Sequence, residues 1–195
     1  EYSQAFEPTE FNQFKFPSNA LFGYTAYNGV QYFEDIELHN KNTEIPDVFY
    51  AVYKYVIVID HFKNELFLFE HLTGEDSSGI DEVEALIKAS HDPQFSFERN
   101  GAESSNLTDT EFLEILEKGK EHSHRGDVFQ IVLSRRFNTQ FSGDEFNVYR
   151  ALRSINPSPY LFYFDYGSFK LFGSSPESQI VIKGSQATIY PIAGT

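Results

Sequence analysis

The chain has 195 residues, a formal net charge of −14, 21 Phe and 12 Tyr, and neither Cys, Met nor Trp. The missing Cys excludes disulfides and cysteine-ligated metals, the acidic balance disfavours a nucleic-acid partner, and no apolar run approaches the roughly 18 residues that a membrane helix needs. Hydrophobic residues at 41% and aromatics at 17% predict a substantial packed core rather than disorder, in a chain expected to be cytoplasmic. The sequence opens at Glu1 without Met and closes at Thr195 straight after a strand-like run, so both ends read as cut.

Taken in order, residues 21–38 mix aromatics with Gly23 and Gly29, which predicts a strand, a turn and a short helix. Tyr55 to Ile59 and Leu66 to Phe69 form two β-rich runs around a polar turn at Lys63-Asn64, the pattern of a hairpin. Asp81 to Ala89 is amphipathic and predicts a short helix, whereas His91 to Asn106 is polar and reads as an exposed loop. Thr108 and Glu111 have capping-box spacing, Phe112, Leu113, Ile115 and Leu116 mark a helical face, and Gly126 supplies the stop. Val128 to Phe137 predicts a strand in which Gln130, Val132 and Ser134 share one face.

Asp144 to Ile155 predicts another helix, with Phe146, Tyr149, Leu152 and Ile155 on its buried side. From Tyr160 the runs YLFYFDY, SFKLFG, SQIVIK and ATIYPI form a meander punctuated by Gly167, Gly173 and Gly184. Helices followed by antiparallel strands give an α+β class.

Familiar catalytic signatures are absent. The glycines never reach the spacing of a phosphate loop, and Gly173-Ser174-Ser175-Pro176 lacks the second Gly of a nucleophile elbow. His122 and His124, near a helix end, would point apart rather than share a metal. Four short polar segments lie beside apolar strands. In Gly126 to Gln130, a Gln enters an apolar run; in Asn156 to Tyr160, two prolines stiffen a shelf. Gly173 to Glu177 sets a carboxylate at the start of a strand for acid work, and Pro191 to Thr195 offers backbone amides and a hydroxyl to an anion.

In this order, GDVFQIVLSRRF, NPSPYLFYF, FGSSPES and PIAGT resemble the chorismate-utilising enzymes, and most closely their anthranilate synthase large-subunit branch. LFGYTAYNGVQYFEDI and YKYVIVIDHF extend the likeness over nearly the whole chain, 91–106 being the weakest stretch. The resemblance implies antiparallel sheets packed together with outer helices, here truncated at both ends. It makes 1–106 an N-terminal region with a hairpin and 107–195 the start of a chorismate-binding core.

It further implies conversion of chorismate and ammonia to anthranilate and pyruvate for tryptophan biosynthesis, the ammonia coming from a glutamine amidotransferase partner. Water-activating relatives carry Lys where this chain has Gln130, and some aminodeoxychorismate synthases carry a nucleophilic Lys in place of Ala193. Both differences favour ammonia as the nucleophile. By resemblance, Glu177 is the acid assisting hydroxyl departure, Gln130 orients ammonia or substrate, and Gly194 and Thr195 hold substrate. Asn156, Pro159, Tyr160 and Leu161 would receive tryptophan as feedback inhibitor. The Mg²⁺ ligands, two glutamates, are expected after residue 195, so the 195 residues alone are expected to be inactive. The alternatives are an aminodeoxychorismate synthase large subunit of the folate pathway and a non-catalytic tryptophan-binding regulatory domain.

Overall fold

The structure, a computed structural model, describes residue 16 and residues 20–38, 44–74, 77–89 and 95–192. The chain divides into two compact units, Glu1–Asp92 with Phe164–Lys170 and Pro93–Tyr163 with Leu171–Thr195. The described strands pair in twos, and the fold is the expected α+β arrangement of antiparallel ladders with helices between them.

In the first unit, β1 (Phe22–Thr25) pairs with β2 (Val48–Ala51), and a 3-10 helix (Tyr27–Tyr32) follows β1. Gly23 lies opposite Tyr50, and a Cβ there would fall on the Phe49 carbonyl, so only glycine lets the two backbones meet. The predicted hairpin is β3 (Tyr55–Asp60) and β4 (Glu65–Glu70), in register from Tyr55↔Glu70 to Asp60↔Glu65. Its turn is built by Asp60, whose Oδ1 accepts from Phe62 N at 2.9 Å and Lys63 N at 3.2 Å, and by Asn64 at φ 57°. Asn tolerates that left-handed backbone because its short amide bonds locally. The segment 164–170 adds Tyr166, whose ring lies 4.5 Å from Phe49 and 5.7 Å from Tyr24.

Helix α1 (Ile80–Lys88) has no side-chain cap of its own at Gly79. Glu70 supplies one from β4: its carboxylate, 4% exposed, accepts from Ser78 Oγ at 2.6 Å and Gly79 N at 2.9 Å, with Lys54 Nζ at 3.7 Å. The Ser78 hydroxyl and then the Gly79 amide hold the Glu70 carboxyl below its ordinary 4.5, against the opposing effect of burial. A depressed carboxyl contributes stability that is fully present above the unfolded value and is lost as pH falls through the folded one. Protection of the first-turn amides of α1, relative to their intrinsic exchange rate, is therefore expected to fall in wild type as pH drops below 4.5, and Glu70→Gln should flatten that dependence.

In the second unit, β5 (Phe97–Ser105) pairs with β6 (Phe137–Gly143) around helix α2 (Asp109–Arg125). Two expectations are corrected here. The stretch read as a loop, of which 95–106 is described, is mostly strand β5, because its pairing comes from β6 rather than from alternation of its own side chains. A register shift between Asn100 and Ser104, with Gly101 at φ 81°, absorbs the irregularity. Conversely, 128–136, read as a strand, belongs to no ladder; strand begins only at Phe137. Its apolar alternation is that of a strand between two neighbours, and no strand pairs with it among the described residues.

Helix α2 keeps the predicted capping box. Glu111 N donates to Thr108 Oγ1 at 3.3 Å, Thr108 N donates to Glu111 Oε2 at 2.8 Å, and Gly126 ends the helix at φ 78°. Thr108→Ala is expected to cost about 1 kcal/mol of stability, read from the urea midpoint. Helix α3 (Phe146–Ile155) starts two residues later than predicted, with Asp144 Oδ1 accepting from Phe146 N at 3.0 Å. Tyr149 and Leu152 are half-buried, but Ile155 is 83% exposed and leaves the predicted buried face.

The meander follows as β7 (Tyr160–Asp165) paired with β8 (Lys170–Ser175) and β9 (Val181–Lys183) paired with β10 (Gln186–Thr188). Phe146, Tyr149, Tyr163 and Phe172 form one aromatic cluster, with Tyr163 stacked on Phe172 at 5.7 Å. The predicted large core is not present: among the described residues Val56 is the one buried hydrophobic side chain. Two-stranded ladders cover each other on one edge only, so aromatic richness yields half-buried rings rather than a sealed interior. Among the described residues no helix is long and apolar enough to cross a membrane.

Candidate functional site

The second unit brings two of the four sequence segments together. The shelf begins where α3 ends. Asn156 N donates to Leu152 O at 2.8 Å and Asn156 leaves the helix at φ −130° and ψ 70°, a change that Pro157 enforces because it cannot continue a helix. Pro159 and Tyr160 are exposed and Leu161 is half-buried, so the shelf presents a stiff, partly apolar rim where β7 begins.

Strand β8 brings the second segment against it. Gly173 lies beneath the Phe162 ring, and a Cβ there would sit 2.7 Å from Phe162 Cζ. Beside it, Ser174 Oγ donates to Asn156 O at 2.6 Å and contacts Ser158 Oγ at 2.8 Å. Ser158 Oγ donates to Ser175 O at 2.8 Å. Just beyond β8, Glu177 N donates to Ser175 Oγ at 3.3 Å, and Ser175 Oγ donates to Glu177 O at 3.3 Å. The Glu177 side chain is exposed and therefore free to reach a bound molecule.

Ser158 and Ser174 were not singled out by the sequence. The available signal was hydroxyl residues inside two proline turns, each flanking a segment already marked. Neither turn alone shows that they meet.

Gln130 is not brought into this cluster: it is exposed, within the unpaired segment. That segment is pinned at its far end, where Arg135 donates to Ser105 Oγ at 2.8 Å and Asp109 Oδ1 at 2.6 Å, and Arg136 N donates to Asn106 Oδ1 at 2.8 Å. Ile131 and Leu133 lie against Gly119 of α2, whose missing side chain leaves a Cβ position only 3.3 Å from Leu133. Gly194 and Thr195, with Ala193, lie outside the described residues.

The helix-end histidines do diverge. His122 Nδ1 lies 2.8 Å from Asp127 Oδ2 and 2.9 Å from Arg125, whereas His124 lines an open groove with Phe112, Leu116 and Val132. Among the described residues, no three His, Asp or Glu side chains gather closely enough to hold a metal ion.

The family described as chorismate binding enzyme matches residues 1–195. Anthranilate synthase component 1 of Lactococcus lactis subsp. lactis (strain IL1403) is 32% identical over 191 residues, covering 92% of this chain and 41% of that one. The protein of the same name from Acinetobacter calcoaceticus is 34% identical over 212 residues, covering 94% and 42%. Aminodeoxychorismate synthase component 1 of Bacillus subtilis (strain 168) is 31% identical over 182 residues, covering 89% and 39%. The crystal structure of anthranilate synthase component I from Streptococcus pneumoniae TIGR4 superposes with a TM-score of 0.74 at 25% identity, covering 96% of this chain and 45% of that chain. The chain thus spans about two fifths of the length of the relatives it matches.

Proposed function

Because the chain belongs to the chorismate binding enzyme family, we propose that its parent protein is an anthranilate synthase large subunit. It would convert chorismate and ammonia to anthranilate and pyruvate, with ammonia supplied from glutamine by an amidotransferase partner. The observation that carries this reading is the hydrogen-bonded junction of the Asn156 to Leu161 shelf with the turn bearing Glu177. It supports the reading because the turn that carries the exposed Glu177 is tied to the stiff shelf proposed for an aromatic amino acid.

In this reading Glu177 protonates the departing ring hydroxyl, a contribution on the order of 10²–10⁴ in rate. Gln130 orients ammonia or substrate, and Gly194 and Thr195 hold the substrate. Asn156, Pro159, Tyr160 and Leu161 take tryptophan as feedback inhibitor. In this reading this chain's own residues contribute proton delivery and orientation. By resemblance the Mg²⁺ ligands belong to the rest of the parent protein, and the 195 residues alone are expected to be inactive.

Aminodeoxychorismate synthase is the second reading, favoured by the Bacillus subtilis relative. Ala193 argues against it by resemblance, since alanine cannot be the nucleophile that a lysine supplies at that position in some aminodeoxychorismate synthases. Incubating the full-length protein with chorismate, an ammonium salt and Mg²⁺ separates the two. Anthranilate fluorescence is the expected result, and a non-aromatic amino product would overturn it.

A further inference from the structure

We infer that Ser158 and Ser174 are positioning residues that transmit occupancy of the Asn156 to Leu161 shelf to Glu177. This rests on the roles proposed above for the shelf and for Glu177.

Polar contacts run from the shelf to the Ser175 main chain, and the Ser175 hydroxyl in turn holds the Glu177 main chain. They run from Asn156 O to Ser174 Oγ (2.6 Å), to Ser158 Oγ (2.8 Å), and from Ser158 Oγ to Ser175 O (2.8 Å). Ser175 then holds both the amide and the carbonyl of Glu177 at 3.3 Å. Each hydroxyl has a single proton to donate. Two protons therefore serve three acceptors: Asn156 O, Ser158 Oγ or Ser174 Oγ, and Ser175 O.

The set has three proton arrangements, one that ties both ends and two that each release one end. With Ser174 donating to Asn156 O and Ser158 donating to Ser175 O, both ends are tied and the central contact lacks a proton. If Ser174 turns its proton to Ser158, the tie to Asn156 O is released; if Ser158 turns its proton to Ser174, the tie to Ser175 O is released, and in either case the Glu177 turn loses one of its hydroxyl links to the shelf. A ligand that shifts Asn156 or the Ser158 backbone favours one arrangement over the others. Such an element with discrete states can couple two sites without a large movement. Ser158 sits between the prolines at 157 and 159, so it cannot relax independently of the shelf.

The test uses the full-length protein carrying Ser158→Ala, Ser174→Ala, both together, or Ser174→Thr. The first readout is amide exchange over residues 175–178. It is expected to rise about 10-fold in either alanine variant, to rise no further in the double variant, and to return toward wild type in Ser174→Thr. The second readout is the tryptophan concentration giving half-inhibition. It should rise roughly 5–20-fold in Ser174→Ala, with KM for chorismate changed less than about twofold.

Unchanged exchange at 175–178 in both alanine variants overturns the coupling, whatever the activity. So does accelerated exchange with tryptophan inhibition equal to wild type. A wild-type protein that makes no anthranilate overturns the proposed function instead. The exchange data and tryptophan binding by calorimetry then still decide the coupling.

Discussion

Glu177→Gln is expected to lower kcat for anthranilate formation by about 10²–10⁴, with KM for chorismate nearly unchanged. Glutamine keeps the shape of the side chain and leaves the Ser175 contacts, which use only the Glu177 main chain, in place. What it removes is a proton that can be delivered to a leaving hydroxyl. Because the side chain is exposed, the substitution should leave the thermal midpoint close to wild type. A loss of rate without a loss of stability assigns the effect to chemistry. A variant turning over within about threefold of wild type would remove Glu177 from the reaction.

The largest stability effect is expected at Gly143. It ends β6 opposite Phe97 with φ 94°, and a Cβ there would fall on the Ser96 carbonyl, which already accepts from Asp144 N at 2.9 Å. Backbone strain and collision with main chain act together, so Gly143→Ala should cost about 2–4 kcal/mol and separate the ends of β5 and β6. Gly126→Ala is the control: φ is 78°, yet nothing lies within 4 Å of the added carbon. It should lose only the strain, about 1 kcal/mol. Equal losses at the two positions, measured by urea unfolding, would show that the Ser96 contact relaxes without cost.

Where the determinants are local, the sequence makes the fold legible. Thr108, Glu111 and Gly126 specify both ends of α2, and the β-rich runs around Lys63-Asn64 specify the hairpin. Determinants supplied from far along the chain are not visible in this way. Strand β5 carries few apolar side chains and owes its pairing to β6, while Glu70 caps a helix that follows it by ten residues in space rather than by any motif. The segment 128–136 fails in the opposite sense, having strand chemistry without a strand beside it. In the candidate site, the proline turns announce Asn156 to Leu161 and Ser174 to Glu177 separately. Their junction depends on two serine hydroxyls meeting across β7 and β8, which no spacing within either motif encodes.

The placement of α2 inside the loop closed by β5 and β6 also sets an order of events during folding. The innermost ladder pair, Ser105 with Phe137, encloses about thirty residues, a closure whose entropy cost grows with the flexible length between its ends. A helix formed first replaces most of that flexible length with a rigid rod whose ends are fixed, and isolated helical turns form within about a microsecond. The capping box is then part of the nucleus rather than a late refinement. Thr108→Ala should therefore slow refolding by most of its equilibrium cost instead of speeding unfolding, and its φ-value should lie nearer one than zero.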